Sequence, residues 1–189
     1  MSVPTLLDSK RINLLQAYCF ASLRLSPGEF WECGVYKGGS ALAIASAIAQ
    51  CGQQLRLFDT FKGHPEDDIP GFAHRKGGFS DTSFRTVQDL FADMEGISFH
   101  VGMIPTTFAG LENSTIRFAH IDVDLYQSTK AAIEFIFPRL VPGGVIVDDD
   151  YFAKECGARQ AVDEYLSTLS TGSHYTHKGF HPQLCIIKE

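Results

Sequence analysis

From Gly28 onward, short apolar runs alternate with longer amphipathic ones, and this alternation limits the fold more than any other feature of the chain. Glu29–Cys33, Leu55–Phe58, Ile97–Val101 and Ile116–Ile121 have the length and side-chain content of strands. Val145–Val147 is an unbroken β-branched run, the mark of a strand covered on both faces. Helix-length segments separate them: alanine-rich Ser40–Ala49, then Thr82–Met94, Ser128–Leu140 with Ser128 or Thr129 available as its N-cap, and Gly157–Leu169. His174–His177 and Leu184–Ile187 predict a terminal antiparallel hairpin, and Ser9–Leu25 a helix packed on the sheet. The pattern predicts an α/β fold, a doubly wound and mostly parallel seven-stranded sheet with helices on both faces. Such sheets bind ligands beyond the carboxyl ends of their strands. The residues just after each strand therefore carry the functional reading.

Bulk properties narrow the classes of function. The 189 residues suffice for one domain, residues 1–189, with a buried core. A net charge of −6 disfavours a nucleic-acid backbone as partner. The longest apolar stretches, such as Ala41–Ala49, fall short of the roughly 20 residues a membrane span needs. No basic segment followed by an apolar one opens the chain, so a cytoplasmic location is the expectation. Five cysteines without a Cys-x-x-Cys pair support neither a zinc site nor a disulfide framework.

After the first strand comes Glu32-Cys33-Gly34-Val35-Tyr36-Lys37-Gly38-Gly39-Ser40. Glycines here permit a sharp turn and close approach of a ligand to the backbone. The spacing matches neither the dinucleotide nor the P-loop fingerprint. Glu32 would repel a pyrophosphate, and it suits a ligand with a cationic amino group, such as the methionine part of S-adenosylmethionine. The second strand ends in Asp59-Thr60-Phe61, where an acidic side chain can accept both hydroxyl hydrogens of a ribose. Either piece alone reads more simply as a strand terminator. Together they favour a nucleoside site.

Two acidic segments follow. The fourth strand runs out through Asp122-Val123-Asp124, and the fifth ends in Asp148-Asp149-Asp150. Residues i and i+2 of a strand share a face, so Asp122 and Asp124 are expected to point into one cleft. Neighbouring strands lie about 5 Å apart, which makes several carboxylates converge. Unpaired, they repel one another and are costly to desolvate. A hard divalent cation such as Mg2+ resolves that with all-oxygen ligation. Exposed aspartates that merely cap helices are the ordinary alternative. Asp148 is the least certain member, because adjacent strand residues face opposite ways.

At these residues the chain resembles the macrocin O-methyltransferase family. Asp122-Val123-Asp124-Leu125-Tyr126-Gln127-Ser128-Thr129, Gly143-Gly144 and Asp149-Asp150-Tyr151 are the most specific part of the match. Asp59-Thr60-Phe61-Lys62-Gly63 is similar to the family's Asp-Ser-Phe-x-Gly, and Ala161-Val162-Asp163-Glu164-Tyr165 fits its next helix. The resemblance implies a Rossmann-like class I methyltransferase. By position, Asp122, Asp149 and Asp150 match metal ligands and Asp124 a general base. Glu32, Gly34, Val35, Tyr36, Gly38, Gly39, Ser40, Asp59, Thr60 and Asp122 match the S-adenosylmethionine site, with Gly102 at the adenine end. Val123 stands where the family has glycine, and the chain is shorter than typical members.

The expected reaction is therefore methyl transfer to a hydroxyl of a small molecule, with a sugar or glycosylated natural product as acceptor and a homo-oligomer by analogy. The cation acidifies the hydroxyl and Asp124 takes its proton. His64, His74 and His181 lie in loops and read as solvated, with assistance to the reaction as the other option. Lys62–Ser80 reads either as a lid over the cofactor or as a passive loop. A nucleotide-dependent enzyme of another class and a non-catalytic S-adenosylmethionine-binding protein are the rival readings.

Overall fold

In the computed structural model, which describes residues 4–189, the chain runs α1 (Ser9–Ser22), β1 (Glu29–Cys33), α2 (Gly39–Ile48), β2 (Leu55–Asp59), α3 (Phe84–Asp89), β3 (Ile97–Val101), β4 (Ile116–Ile121), α4 (Tyr126–Ile136), β5 (Leu140–Asp148), α5 (Ala158–Ser167), β6 (His174–Lys178) and β7 (Leu184–Lys188). One seven-stranded sheet has the order β3-β2-β1-β4-β5-β7-β6. β1 to β5 pair in parallel, and β7 and β6 close the far edge antiparallel, as the sequence pattern predicts.

Alternation along the buried strands sorts their side chains between two apolar layers. Phe30, Leu57, Phe118, Val145 and Val147 face a layer that includes Leu15 and Cys19 of α1 and Ile44 and Ile48 of α2. Trp31, Phe58, Ala119, Ile121 and Ile146 face the other, with Ile133 and Ile136 of α4 and Val162 of α5. Strand order reverses between β1 and β4, so the chain leaves β1 toward one layer and β4 toward the other. The crevice between those two departures is where such sheets bind ligands.

Several element boundaries differ from the local pattern. α3 covers only Phe84–Asp89 of the expected Thr82–Met94, because the chain tightens into successive three-residue turns after it. α1 ends at Ser22 and the last turn, to Leu25, is likewise tightened. β5 begins at Leu140, so Pro142-Gly143-Gly144 bulges within a strand, and the pairing shifts from Ile116↔Leu140 to Phe118↔Val145.

α4 begins at Tyr126, two residues before the expected cap, and Thr129 is buried inside it. Its cap comes from elsewhere. Asp68, in the Lys62–Ser80 segment, accepts the Tyr126 N–H at 2.9 Å on Oδ1 and the Gly157 N–H at 2.7 Å on Oδ2. One buried carboxylate thus serves the starts of α4 and α5. Asp68→Ala strips both caps, at about 1 kcal/mol each. A thermal melt should show a midpoint lower by roughly 4–8 °C; an unchanged midpoint would mean that water replaces the carboxylate at no cost.

Candidate active site

The hydrogen-bond ladder of the sheet continues one residue past four strands. Gly102 N–H donates to Asp59 O at 2.9 Å, Gly34 N–H to Phe58 O at 2.9 Å, Asp122 N–H to Cys33 O at 2.8 Å and Asp149 N–H to Ile121 O at 2.8 Å. The sheet itself therefore aligns the residues singled out after β3, β1, β4 and β5. They line one cavity of about 200 Å³ together with Val35, Tyr36, Gly39, Ser40, Asp59, Thr60, Asp124 and Asp150.

The turn after β1 is built around two backbone features. Gly34 has φ +89°, and a Cβ there would stand 1.7 Å from the Asp122 carbonyl oxygen. Asp59 Oδ2 accepts the N–H groups of Val35 and Tyr36 at 2.7 and 2.8 Å, and Oδ1 accepts that of Phe61 at 2.7 Å. Asp59 thus shapes the turn while remaining on the cavity wall, with acceptor capacity to spare. Tyr36 O–H and Lys37 Nζ both reach Asp81, at 2.7 and 2.6 Å, which ties the turn to the segment before α3. The N-terminal segment crosses nearby: Pro4 to Leu7 line the cavity, and a Cβ on Gly39 would meet Thr5 Cβ at 2.5 Å.

Two expected cofactor residues are not on that wall. Gly38, at φ +87°, turns against Val87 and Leu90 instead. Glu32 is fully buried, and its Oε1 lies 2.8 Å from His120 Nδ1. The partner of Oε1 is thus a histidine of the same sheet, while Oε2 is buried without a hydrogen-bond partner. β1 residue Glu32 sits directly beside β4 residue His120 in the register, so the two side chains meet inside the core.

The carboxylates converge, though not by strand geometry. β4 ends at Ile121, and Asp124 is the centre of a tight turn, φ +59°, closed by Leu125 N–H donating to Val123 O at 2.6 Å. Asp124 thus lies beyond the strand, yet Asp122 and Asp124 line the same cavity, the one cleft that the sequence predicts. Carboxylate oxygens of Asp122, Asp149 and Asp150 come within 4.8 Å of one another, while Asp124 groups with His64 and His74. Asp150 Oδ2 accepts the Asp124 N–H at 3.0 Å, linking the two groups. Asp148 stays apart: fully buried, it accepts the Asp150 N–H, and burial beside Asp149 pushes its carboxyl up to about 7.

Charge is distributed unevenly over this set. Burial opposes ionisation of Asp149, but His120, Arg11 and Gln183 outweigh it and hold its carboxyl below the usual range. Arg11 Nη1 is 2.5 Å from Asp149 Oδ2, and Gln183 Nε2 donates to Oδ1 at 2.8 Å. His120 Nε2 lies 3.7 Å from the same Oδ1. Burial works against the charge on His120 as well, yet Asp149 and Glu32 on its two sides push the imidazole up to about 10. Asp122 and Asp150 form no ion pair among the described residues, and burial with neighbouring carboxylates raises both well above the carboxylate range, although His120 partly offsets the rise at Asp122.

Arg11, His120 and Gln183 carry no motif and escape a reading by spacing. A signal did exist for His120, a polar residue within an otherwise apolar strand, and for Glu32 in the strand beside it. His64 and His74 are also more than solvated loop residues. His64 is buried, and both imidazoles contact Asp124. His181 is exposed, as expected.

The family model described as Macrocin-O-methyltransferase (TylF) matches residues 3–171. The chain belongs to the macrocin O-methyltransferase family. Among relatives, the 8-demethyl-8-(2,3-dimethoxy-alpha-L-rhamnosyl)-tetracenomycin-C 4'-O-methyltransferase of Streptomyces olivaceus is 30% identical over 85% of this chain and 67% of its own length. The mycinamicin III 3''-O-methyltransferase of Micromonospora griseorubida is 31% identical over 85% of this chain and 69% of its own. The solved O-methyltransferase NovP has the same fold, with a TM-score of 0.82 at 23% identity over 97% of this chain and 81% of that one. The methyltransferase PaMTH1 of Podospora anserina, solved with S-adenosylhomocysteine, gives 0.65 at 14% identity over 96% and 79%. As a macrocin-type enzyme the chain is an S-adenosylmethionine-dependent O-methyltransferase, which removes the nucleotide-dependent and non-catalytic alternatives. Among the described residues, no helix is long and apolar enough to cross a membrane.

Proposed function

We propose that this enzyme methylates a sugar hydroxyl of a glycosylated small molecule, with a hard divalent cation held by Asp122, Asp149 and Asp150 and with Asp124 as general base. The convergence of three carboxylates in the same cavity as the glycine turn carries the reading. The relatives' names, which specify positions on sugars, support the acceptor class.

The donor set fits such an ion. It is all oxygen, which suits magnesium. Burial and neighbouring carboxylates oppose the charge on Asp122 and Asp150, so a bound cation relieves a repulsion already built into the fold. When bound, that cation lowers the pKa of an acceptor hydroxyl. The chain's own residues do the rest. Gly34, Val35, Tyr36, Gly39 and Ser40 bring backbone against the methionine part of the cofactor, with Asp59 and Thr60 at its ribose and Gly102 at its adenine. Asp124 takes the hydroxyl proton as the oxygen attacks the methyl carbon and the carbon–sulfur bond breaks, leaving S-adenosylhomocysteine. His64 Nε2, 3.0 Å from Asp124 Oδ2, and His74 Nε2, 3.5 Å from Oδ1, hold that carboxylate in direction.

Calorimetric titration of S-adenosylhomocysteine into chelator-treated protein, with and without magnesium, tests both parts. Micromolar binding whose affinity or enthalpy changes with magnesium is expected. Binding indifferent to magnesium would remove the metal from the reading, and no binding in either condition would sink it entirely.

A further inference from the structure

We propose that His64, His74 and Asp124 form a second cation site, selective for a borderline ion such as Zn2+ and distinct from the three-carboxylate set. The two imidazole Nε2 atoms converge on separate oxygens of one carboxylate, at 3.0 and 3.5 Å, and all three ligand atoms lie within 4.8 Å of one another. Tetrahedral ligation with bonds of about 2.0–2.1 Å places neighbouring ligand atoms roughly 3.3–3.4 Å apart. The two contacts lie near that value but run to different oxygens, so closing on one ion needs a turn of the Asp124 carboxylate.

The loop that brings the histidines together is held in shape. His64 N–H donates to Gly78 O at 2.8 Å and Gly77 N–H to His64 O at 2.9 Å, while Asp68 N–H donates to His74 O at 3.1 Å. Gly78 packs so closely that a Cβ there would stand 3.0 Å from His64 Nδ1. Asp68 in turn is locked to the starts of α4 and α5. Phe79 walls both rings, its centroid 5.1 Å from His64 and 5.9 Å from His74. The apolar wall limits solvent access to the cluster, and His64 Nδ1 is buried without a hydrogen-bond partner. Two nitrogens and one oxygen suit zinc, cobalt or nickel, whereas the carboxylate set suits magnesium. The two groups of ligands are neighbours on one cavity wall, linked by the Asp124 N–H to Asp150 Oδ2.

Occupancy has a consequence that rests on the reading of Asp124 as base. An ion on its carboxylate occupies the lone pairs that would take the acceptor proton. Zinc is then an inhibitor that magnesium does not relieve.

The site is tested by adding Co2+ to the chelator-treated protein and following the visible absorption of tetrahedral cobalt. One equivalent of cobalt should produce the band, and Zn2+ should displace it. His64→Gln and His74→Gln should each lose the band, while Asp122→Asn and the surface control His181→Gln keep it; a thermal melt of each variant confirms that it is folded. The partly buried His74, more exposed than His64, keeps the test informative should His64→Gln misfold. No band in the unmodified protein overturns the proposal, as does a band that survives in both histidine variants or one lost only in Asp122→Asn. A band at these residues with turnover unaffected by zinc leaves the site standing and removes Asp124 as base.

Discussion

Gly34→Ala is expected to abolish adenosylhomocysteine binding and to destabilise the whole sheet edge. Two effects add at this position. The backbone sits at φ +89°, where an L side chain costs about 1–2 kcal/mol. The new Cβ would also fall 1.7 Å from the Asp122 carbonyl oxygen and 2.6 Å from its carbon. That carbonyl cannot retreat freely, because the Asp122 N–H is bonded to Cys33 O at the other side of the same junction. Relief therefore means parting the β1 and β4 exits, which dismantles the turn and displaces an acidic residue of the cleft. A loss of roughly 4 kcal/mol is expected, at the upper end for single substitutions. In a thermal melt this lowers the midpoint by roughly 10 °C. Gly52→Ala supplies the control: its φ is +59° but nothing lies within 4 Å of a Cβ there, so only the conformational cost remains. Should Gly34→Ala melt and bind cofactor as the unmodified protein does, the close approach of the two strand exits is not what holds the site.

Asp124→Asn is expected to lower kcat by about 10³, within the range for loss of a general base, with adenosylhomocysteine affinity little changed. The substitution keeps the volume and leaves Asp122, Asp149 and Asp150 untouched. It removes the charge, and it replaces one of the two oxygens that His64 and His74 contact with an amide nitrogen. Single-turnover rates with saturating cofactor and magnesium separate this from a binding defect. A variant that turns over normally would refute the role of Asp124, and the hydroxyl proton would then have to leave by another route.

The two acidic segments and the glycine turn were legible because each ends a recognisable strand, and parallel strands deliver their ends to one edge. Which aspartates act together was not legible. Strand periodicity placed Asp122 and Asp124 in one cleft, and both line it, but a left-handed residue at Asp124 breaks that period and brings its carboxylate against the histidines. Asp122 keeps company instead with Asp149 and Asp150, the trio that the family resemblance had indicated. The start of α4 shows the same limit. Ser128 and Thr129 have the chemistry of a cap, but Asp68, 58 residues from Tyr126, takes that role.

The chain's periodicity by itself determined the doubly wound sheet, the terminal hairpin and the sheet edge that carries the cavity, because apolar alternation and crossover length are local properties. Tertiary structure alone decided the electrostatics of the cleft. Glu32, His120, Asp149 and Arg11 come from β1, β4, the end of β5 and α1, and they meet only when strand register and helix packing are set. The charge each carries depends on burial and on partners distant in sequence. A residue's pKa, unlike its place in a strand, is a property of the folded surroundings.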